Sequence, residues 1–361
     1  MVTLGVAGLG KMGLSHFSIV NSHLKTQVAV CDSSKFVLDI VGRYAGVPAY
    51  RDYDKMLANA GLDAVIVATP SRLHEPMVRK ALERGLHVFC EKPFCLDWRD
   101  AEELARVAAR RGLINQVGYH YRYAGTFQEM KRLIEASAIG RVTHMLAEAY
   151  GPVVLDAQGA TWRTNHVDGG GCLYDYAAHP VNLINWCFGV PDQVSGAVMS
   201  SIFSGGSDDE VYATFGYASG PSVQLSVNWS DESYRKMSTR ITLTGTGGRI
   251  IVDRQELQAY LRSPVPALPD YRVGWNAKYT TGLTPGVRFN LRGEEYSAQI
   301  DDFLNAICDG AALTPNDFRS AAETDHTLAL ITEEAGARVV DQATARAERR
   351  RRAWFGLNAL R

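Results

Sequence analysis

The chain has 361 residues, 46% of them hydrophobic and 21% charged, which excludes disorder as the main state and predicts two domains at about 150 residues each. Thirty-eight basic against 39 acidic residues leave a net charge of −1, so no global field draws in nucleic acid or an anionic membrane. No apolar run approaches the roughly 18 residues of a membrane span, no secretory signal is expected, and six scattered cysteines without a Cys-x-x-Cys pair predict reduced thiols in a cytoplasmic protein.

Short apolar runs at Val2–Ala7, 27–31, 64–68, His87–Cys90 and 114–117, most of them rich in Val and Ile, suit parallel strands buried on both faces. Helical patterns lie between them. In one, Asp97 is an N-cap, Leu104 and Val107 face inward, and Gly112 closes the end. Repeated units of this kind predict a doubly wound parallel sheet over residues 1–120.

After Gly118 the texture changes, and a domain boundary is expected at 118–125, opening a second domain over 121–340. A helical stretch at 126–137 precedes a strand at Val142–Tyr150, a glycine triplet at 169–171 and a helix over 174–187. From residue 193 to 261 the alternation has period two with glycine turn signals, which reads as an antiparallel sheet. Residues 264–285 look like an irregular excursion, and helices are expected over 294–308 and 317–340. A helix-compatible basic tail over 341–361, with Arg349 to Arg352, reads as a solvated face.

The first strand runs into Gly8-Leu9-Gly10-Lys11-Met12-Gly13, a G-x-G-x-x-G set between a strand and a helix. Gly8 permits the tight turn, Gly10 lets the backbone approach a pyrophosphate, and Gly13 allows close helix–strand packing, with the helix amides facing the phosphates. Asp32, 19 residues after the last glycine, ends the second strand, where a carboxylate accepts ribose hydroxyls and repels a 2′-phosphate. This favours NAD over NADP, although Ser33, Ser34 and Lys35 offer some solvation to a phosphate. An ordinary turn with a capping Asp is the weaker alternative in this setting.

Ala68-Thr69-Pro70-Ser71 and Cys90-Glu91-Lys92-Pro93 sit at carboxyl ends of parallel strands, where open α/β sheets bind ligands. Lys92 is there either a surface cation or a proton-transferring amine, and physics alone leaves the two even. On a helix, Asp175, His179 and Asn182 fall at i, i+4 and i+7 and form one polar stripe. A metal reading lacks a third ligand, and no metal is expected. The stripe is either a helix-terminal Asp with a hydrogen-bonded His, or an acid–base His oriented by Asp.

Together these elements resemble the Gfo/Idh/MocA family of oxidoreductases, which includes glucose–fructose oxidoreductase and inositol 2-dehydrogenases, over about residues 2 to 340. The resemblance implies a Rossmann domain followed by an α/β domain whose open, mainly antiparallel sheet commonly forms subunit contacts, giving a homodimer or homotetramer. It implies that Lys92 contacts the substrate hydroxyl and the nicotinamide ribose, and that Asp175 and His179 are the catalytic pair of the second domain. His74 matches the cofactor-loop histidine. Tyr119-His120-Tyr121-Arg122 matches a segment entering the site, with His120 where relatives often have Asn. Trp162 and Arg163 fall where relatives place substrate contacts.

The function expected is an NAD(H)-dependent oxidoreductase acting on a secondary alcohol of a sugar, sugar derivative or cyclitol. The cofactor residues expected are Gly8, Gly10, Lys11, Met12, Gly13, Asp32, Thr69, Pro70, His74, Glu91 and Lys92; the substrate residues are His120, Arg122, Trp162, Arg163 and Asn182. The rivals are an NAD-recycling glycosidase that releases no net NADH, a non-catalytic NAD-sensing regulator, and a reductase of imines or enones.

Overall fold

A computed structural model describes residues 1–156, 165, 168–310 and 314–337. The first part alternates β1 (Val2–Ala7), α1 (Lys11–Asn21), β2 (Thr26–Cys31), α2 (Lys35–Ala45), β3 (Ala49–Tyr50), α3 (Tyr53–Asn59), β4 (Ala64–Val67), α4 (His74–Glu83), β5 (His87–Cys90), α5 (Trp98–Arg110) and β6 (Asn115–Val117). The six strands pair in parallel in the order β3-β2-β1-β4-β5-β6. Helices on both faces explain the Val- and Ile-rich strands: every residue of β4 is fully buried. The order reverses between β1 and β4, and their carboxyl ends open a crevice there. β3 was not expected; at two residues it is too short to carry a period-two signal.

The second part contains α6 (Gly125–Glu135), β7 (Val142–Tyr150), α7 (Ala178–Phe188), β8 (Gln193–Ser200), β9 (Glu210–Gly216), β10 (Ser222–Asn228), β11 (Ser238–Gly245), β12 (Gly248–Asp253), β13 (Glu256–Leu261), β14 (Gly274–Tyr279), the short α8 (Thr280–Leu283), α9 (Glu294–Asp309) and α10 over 318–337. Eight strands form one sheet in the order β14-β13-β12-β11-β7-β10-β9-β8, antiparallel except for the parallel β7–β10 pair. Two expectations are corrected here. The excursion over 264–285 contains the edge strand β14, which pairs residue by residue with β13. The helix expected over 174–187 begins as a π turn, Leu173–Ala177, and becomes α-helical only from Ala178.

One face of the second sheet is buried through alternate residues such as Met145, Ala147 and Ala149, against Phe127, Met130 and Leu133 of α6 and Val181 and Ile184 of α7. The opposite face exposes Tyr260 and Trp275, cross-strand neighbours whose rings meet edge to face at 5.4 Å.

The chain then returns to the first sheet. Ile300, Phe303 and Leu304 of α9 join Leu4, Val6, Ile66 and Phe89 in one core, each buried side chain worth about 1.5–3 kcal/mol. On α10, Phe318 stacks on Phe94 at 4.2 Å and His326 on Trp98 at 4.2 Å. The first sheet thus ends at Val117 and the second begins at Val142, while residues beyond 294 pack back against the first part of the chain. All six cysteines are free thiols. Among the described residues no helix is long and apolar enough to cross a membrane, and no three His, Cys, Asp or Glu side chains are grouped to hold a metal ion.

Candidate active site

The crevice begins at the β1–α1 turn. Gly8 has φ +88°, and a Cβ there would lie 2.5 Å from Ala68 O. A Cβ on Gly13 would lie 1.8 Å from Gly8 O, so only glycine lets α1 approach β1 this closely. Gly10 differs: a Cβ there would meet nothing within 4 Å, which leaves open space against its backbone. It caps α1 without a side-chain hydrogen bond, so the first-turn amides of Lys11 and Met12 face outward with the positive end of the helix dipole. Asp32 stands beside this turn, accepting hydrogen bonds from Leu9 N–H at 2.6 Å and Ser34 N–H at 2.7 Å. An open glycine, uncapped amides and a carboxylate held at the next strand end fit a dinucleotide.

The tips of β4 and β5 form the adjoining wall. Both ring nitrogens of buried His74 lie against backbone carbonyls, Nδ1 at 2.8 Å from Pro93 O and Nε2 at 2.9 Å from Thr69 O. His74 thus ties the Thr69–Pro70 loop to the loop carrying Lys92. Expected as a cofactor contact, it is placed to shape that contact through the backbone, and burial holds its pKa below the usual value.

Lys92 reaches across to the second domain. Its Nζ donates to Asp175 Oδ1 at 2.8 Å and to Asp175 O at 2.7 Å. The side chains of Lys92 and Asp175 are 13% and 20% exposed, so the pair is largely dehydrated yet open to a ligand. His179 lies one turn beyond, buried, with its ring 5.0 Å from His120 and 5.2 Å from Tyr121. Among the described residues no hydrogen bond takes up its ring nitrogens. Burial first, then the charge of Lys92, pushes its pKa well below the usual value, so it stands neutral.

Asp175 sits in the π turn Leu173–Ala177, and its carboxylate pairs with Lys92.

His120 is buried and its ring stacks on Tyr296 of α9 at 4.4 Å with 19° between the planes. The Tyr296 hydroxyl lies 3.3 Å from Nε2, but two near-parallel rings cannot aim a hydroxyl at the in-plane lone pair, so stacking is the main contact. Burial pushes the His120 pKa down to about 3.

Arg122 and Asn182, expected to meet substrate, meet each other. Arg122 donates from Nε to Asn182 Oδ1 at 2.8 Å, from Nη2 to Asn182 O at 3.1 Å and from Nη1 to Pro315 O at 2.6 Å. Asn182 donates in turn to Thr324 on α10 at 3.0 Å. Both side chains are committed to the interior, because a buried guanidinium must use its donors where it lies. Trp162, Arg163 and the basic tail lie outside the described residues.

Sequence reasoning missed Tyr296, which no local pattern links to a residue 176 positions earlier. It also missed His16, whose Nε2 lies 2.6 Å from Glu91 Oε1. His16 shares the inward face of α1 with Gly13, Phe17 and Val20, a helical period legible in the sequence.

Comparison with known proteins agrees with this geometry. Residues 2–119 match an oxidoreductase family model with an NAD-binding Rossmann fold, and residues 127–251 match a GFO/IDH/MocA C-terminal domain. The chain is 26% identical over 271 residues to a 2,7-anhydro-N-acetylneuraminate hydratase of Escherichia coli (strain K12), 73% of this chain and 70% of that protein. It is 36% identical over 146 residues to inositol 2-dehydrogenase 4 of Saccharopolyspora erythraea, 38% of this chain and 42% of that protein. The matched stretch is less than half the length of several such curated relatives.

A solved structure of levoglucosan dehydrogenase with NADH and levoglucosan has the same fold, with a TM-score of 0.82 at 22% identity over 93% of this chain and 97% of that one. Two family models matched in tandem, over the residues that build the two sheets in turn, make this chain a member of the Gfo/Idh/MocA family of NAD-binding oxidoreductases.

Proposed function

We propose that the protein is an NAD(H)-dependent dehydrogenase of a secondary alcohol on a sugar, sugar derivative or cyclitol, or the reductase of the corresponding ketone. The observation that carries this reading is the Lys92–Asp175 pair at the mouth of the dinucleotide crevice with a neutral, buried His179 beside it. Gly8, Gly10, Lys11, Met12, Gly13 and Asp32 would hold the dinucleotide, with Thr69, Pro70 and Glu91 lining the same crevice. Held there, NAD would supply the hydride acceptor for the carbinol carbon.

The protein's own part is to hold the hydroxyl and take its proton. Lys92, facing a carboxylate and a carbonyl oxygen, acts as a donor and stabilises negative charge developing on the substrate oxygen. His179, with an open ring nitrogen in a dry site, receives the hydroxyl proton as the carbon–oxygen double bond forms. In reduction it returns that proton to the oxygen. Asp175 keeps Lys92 at this post and offsets its charge.

A screen of NAD and NADP reduction across inositols, aldoses, glycosides and nucleotide sugars tests the proposal. NADH formation with one class supports it; none with any of them defeats it. The match to a hydratase over 73% of the chain favours one second reading, in which water is added or removed with no net change in the nicotinamide. That reading predicts product without a change in NADH absorbance. For assembly we infer a homodimer or homotetramer through the open sheet face that exposes Tyr260 and Trp275. A monomeric mass in light scattering at micromolar concentration would contradict it.

A further inference from the structure

The mechanism above leaves one buried titratable pair without a task. His16, on the inward face of α1, has a fully buried side chain, and its Nε2 lies 2.6 Å from Glu91 Oε1. A carboxylate supplies no hydrogen, so the imidazole donates. Glu91 Oε2 in turn accepts the backbone N–H of Lys92 at 3.2 Å.

The pocket around this carboxylate is built to fit. A Cβ on Gly118 would come within 2.9 Å of both Glu91 oxygens, so the glycine at the end of β6 makes room for them. Phe89 meets the His16 ring edge-on at 5.1 Å and is itself backed by Phe303 of α9 at 5.9 Å. Burial alone pushes the Glu91 pKa up. The hydrogen bond from His16, with the charge of Lys92, outweighs it and holds the group below the usual value.

His16 and Gly10 belong to the same rigid helix, six residues or about 9 Å apart along its axis. One end of α1 therefore faces the cofactor site, and a side chain a turn and a half later grips the residue next to Lys92.

We propose that His16 is a positioning residue: by donating from α1 to Glu91 it locks the tip of β5, and with it Lys92, to the helix that holds the dinucleotide. The distance between the reacting amine and the cofactor is then set by one buried hydrogen bond rather than by the loops around it. The catalytic consequence rests on the dehydrogenase reading; the bond itself does not.

The test begins on the ligand-free protein. In ¹⁵N-histidine-labelled wild type, a strongly downfield imidazole N–H signal is expected, and it disappears in both His16→Leu and Glu91→Leu, which removes the acceptor. If no such signal exists, or if it survives Glu91→Leu, the bond is not formed as described and the proposal falls, whatever the enzyme does.

Turnover and NAD titration follow. His16→Leu should cut kcat about tenfold or more, as a small misplacement of a reacting group does. NAD affinity, read by fluorescence, should stay within about threefold because the glycine cradle is untouched. His16→Gln, which keeps an N–H donor, should recover most of the loss. Glu91→Leu added to His16→Leu should cost little more than either alone, the mark of two residues acting as one unit. Equal losses of NAD affinity and turnover, no rescue by Gln, or fully multiplicative losses would each make His16 a packing residue. Absence of turnover in the wild type would defeat the dehydrogenase reading while leaving the spectroscopic result to decide the bond.

Discussion

The two halves of the crevice are built from different material. The dinucleotide half is made of backbone: a turn at Gly8, open space at Gly10 and a close approach at Gly13, all within six consecutive residues. The reaction half is made of side chains brought from far apart, Lys92 and Asp175 across 83 positions and His120 and Tyr296 across 176. A backbone cradle depends on sterics that any solvent condition preserves. The side-chain half depends on burial, which keeps His120 and His179 neutral and keeps Lys92 and Asp175 paired. Perturbations should therefore separate the halves.

The largest effect is expected on the reaction half. Lys92→Met and His179→Ala should each lower turnover by about 10²–10⁴, or roughly 3–5 kcal/mol. The double variant should be scarcely worse than the poorer single, while NAD affinity in His179→Ala stays near wild type. Steady-state turnover beside a fluorescence titration reads both. Near-wild-type turnover in His179→Ala would make the imidazole structural.

Next comes the carboxylate that joins the halves to the choice of cofactor. Wild type should bind NAD more tightly than NADP, and Asp32→Ala should narrow that gap about tenfold to hundredfold, or 1.5–3 kcal/mol. Equal affinity of the wild type for both cofactors would remove this role from Asp32.

Two glycines then sharpen the contrast within the backbone half itself. Gly13→Ala forces a Cβ into Gly8 O and should lower the unfolding free energy by about 1–3 kcal/mol. Gly10→Ala points into open space and should leave thermal stability unchanged while weakening NAD. If Gly10→Ala unfolds the protein, or binds NAD as well as wild type, the open space is not the pyrophosphate site.

The smallest effect is read in stability against pH. Burial depresses the pKa values of His74, His120 and His179, the second to about 3, whereas unfolded histidine titrates near 6.5. Unfolding therefore takes up protons below pH 6.5, and their stabilisation, complete above that pH, is lost as pH falls toward the folded values. Buried Asp325, whose pKa is raised, opposes them with one proton. His120→Asn should flatten the slope of Tm against pH by about one proton's worth. An unchanged slope would mean that His120 is already charged in the native protein.

Legibility followed the same division. The parallel strands and the strained glycine turn could be read because each is a local pattern of period or spacing. β3 and β14 could not: one has two residues, and the other is an edge strand with turn-like residues before and after it. The stripe of Asp175, His179 and Asn182 was recognised as polar, but its partners come from distant segments: Lys92, beyond the end of β5, reaches Asp175, and Arg122 reaches Asn182. Arg122 was expected to meet substrate, but only the packing of α7 and of the chain before α10 shows its donors engaged at Asn182 and Pro315.

What the sequence by itself determined is the family, the two-sheet architecture and the cofactor turn, because glycine spacing and hydrophobic period act over neighbouring residues and need no partner to be read. What only the tertiary structure decided is which polar side chains are free to do chemistry. A buried donor must find an acceptor or remain open to a ligand, and that outcome depends on what packs against it. Arg122 found Asn182 and His16 found Glu91, while His179 was left with rings around it and, among the described residues, no hydrogen-bond partner for its nitrogens.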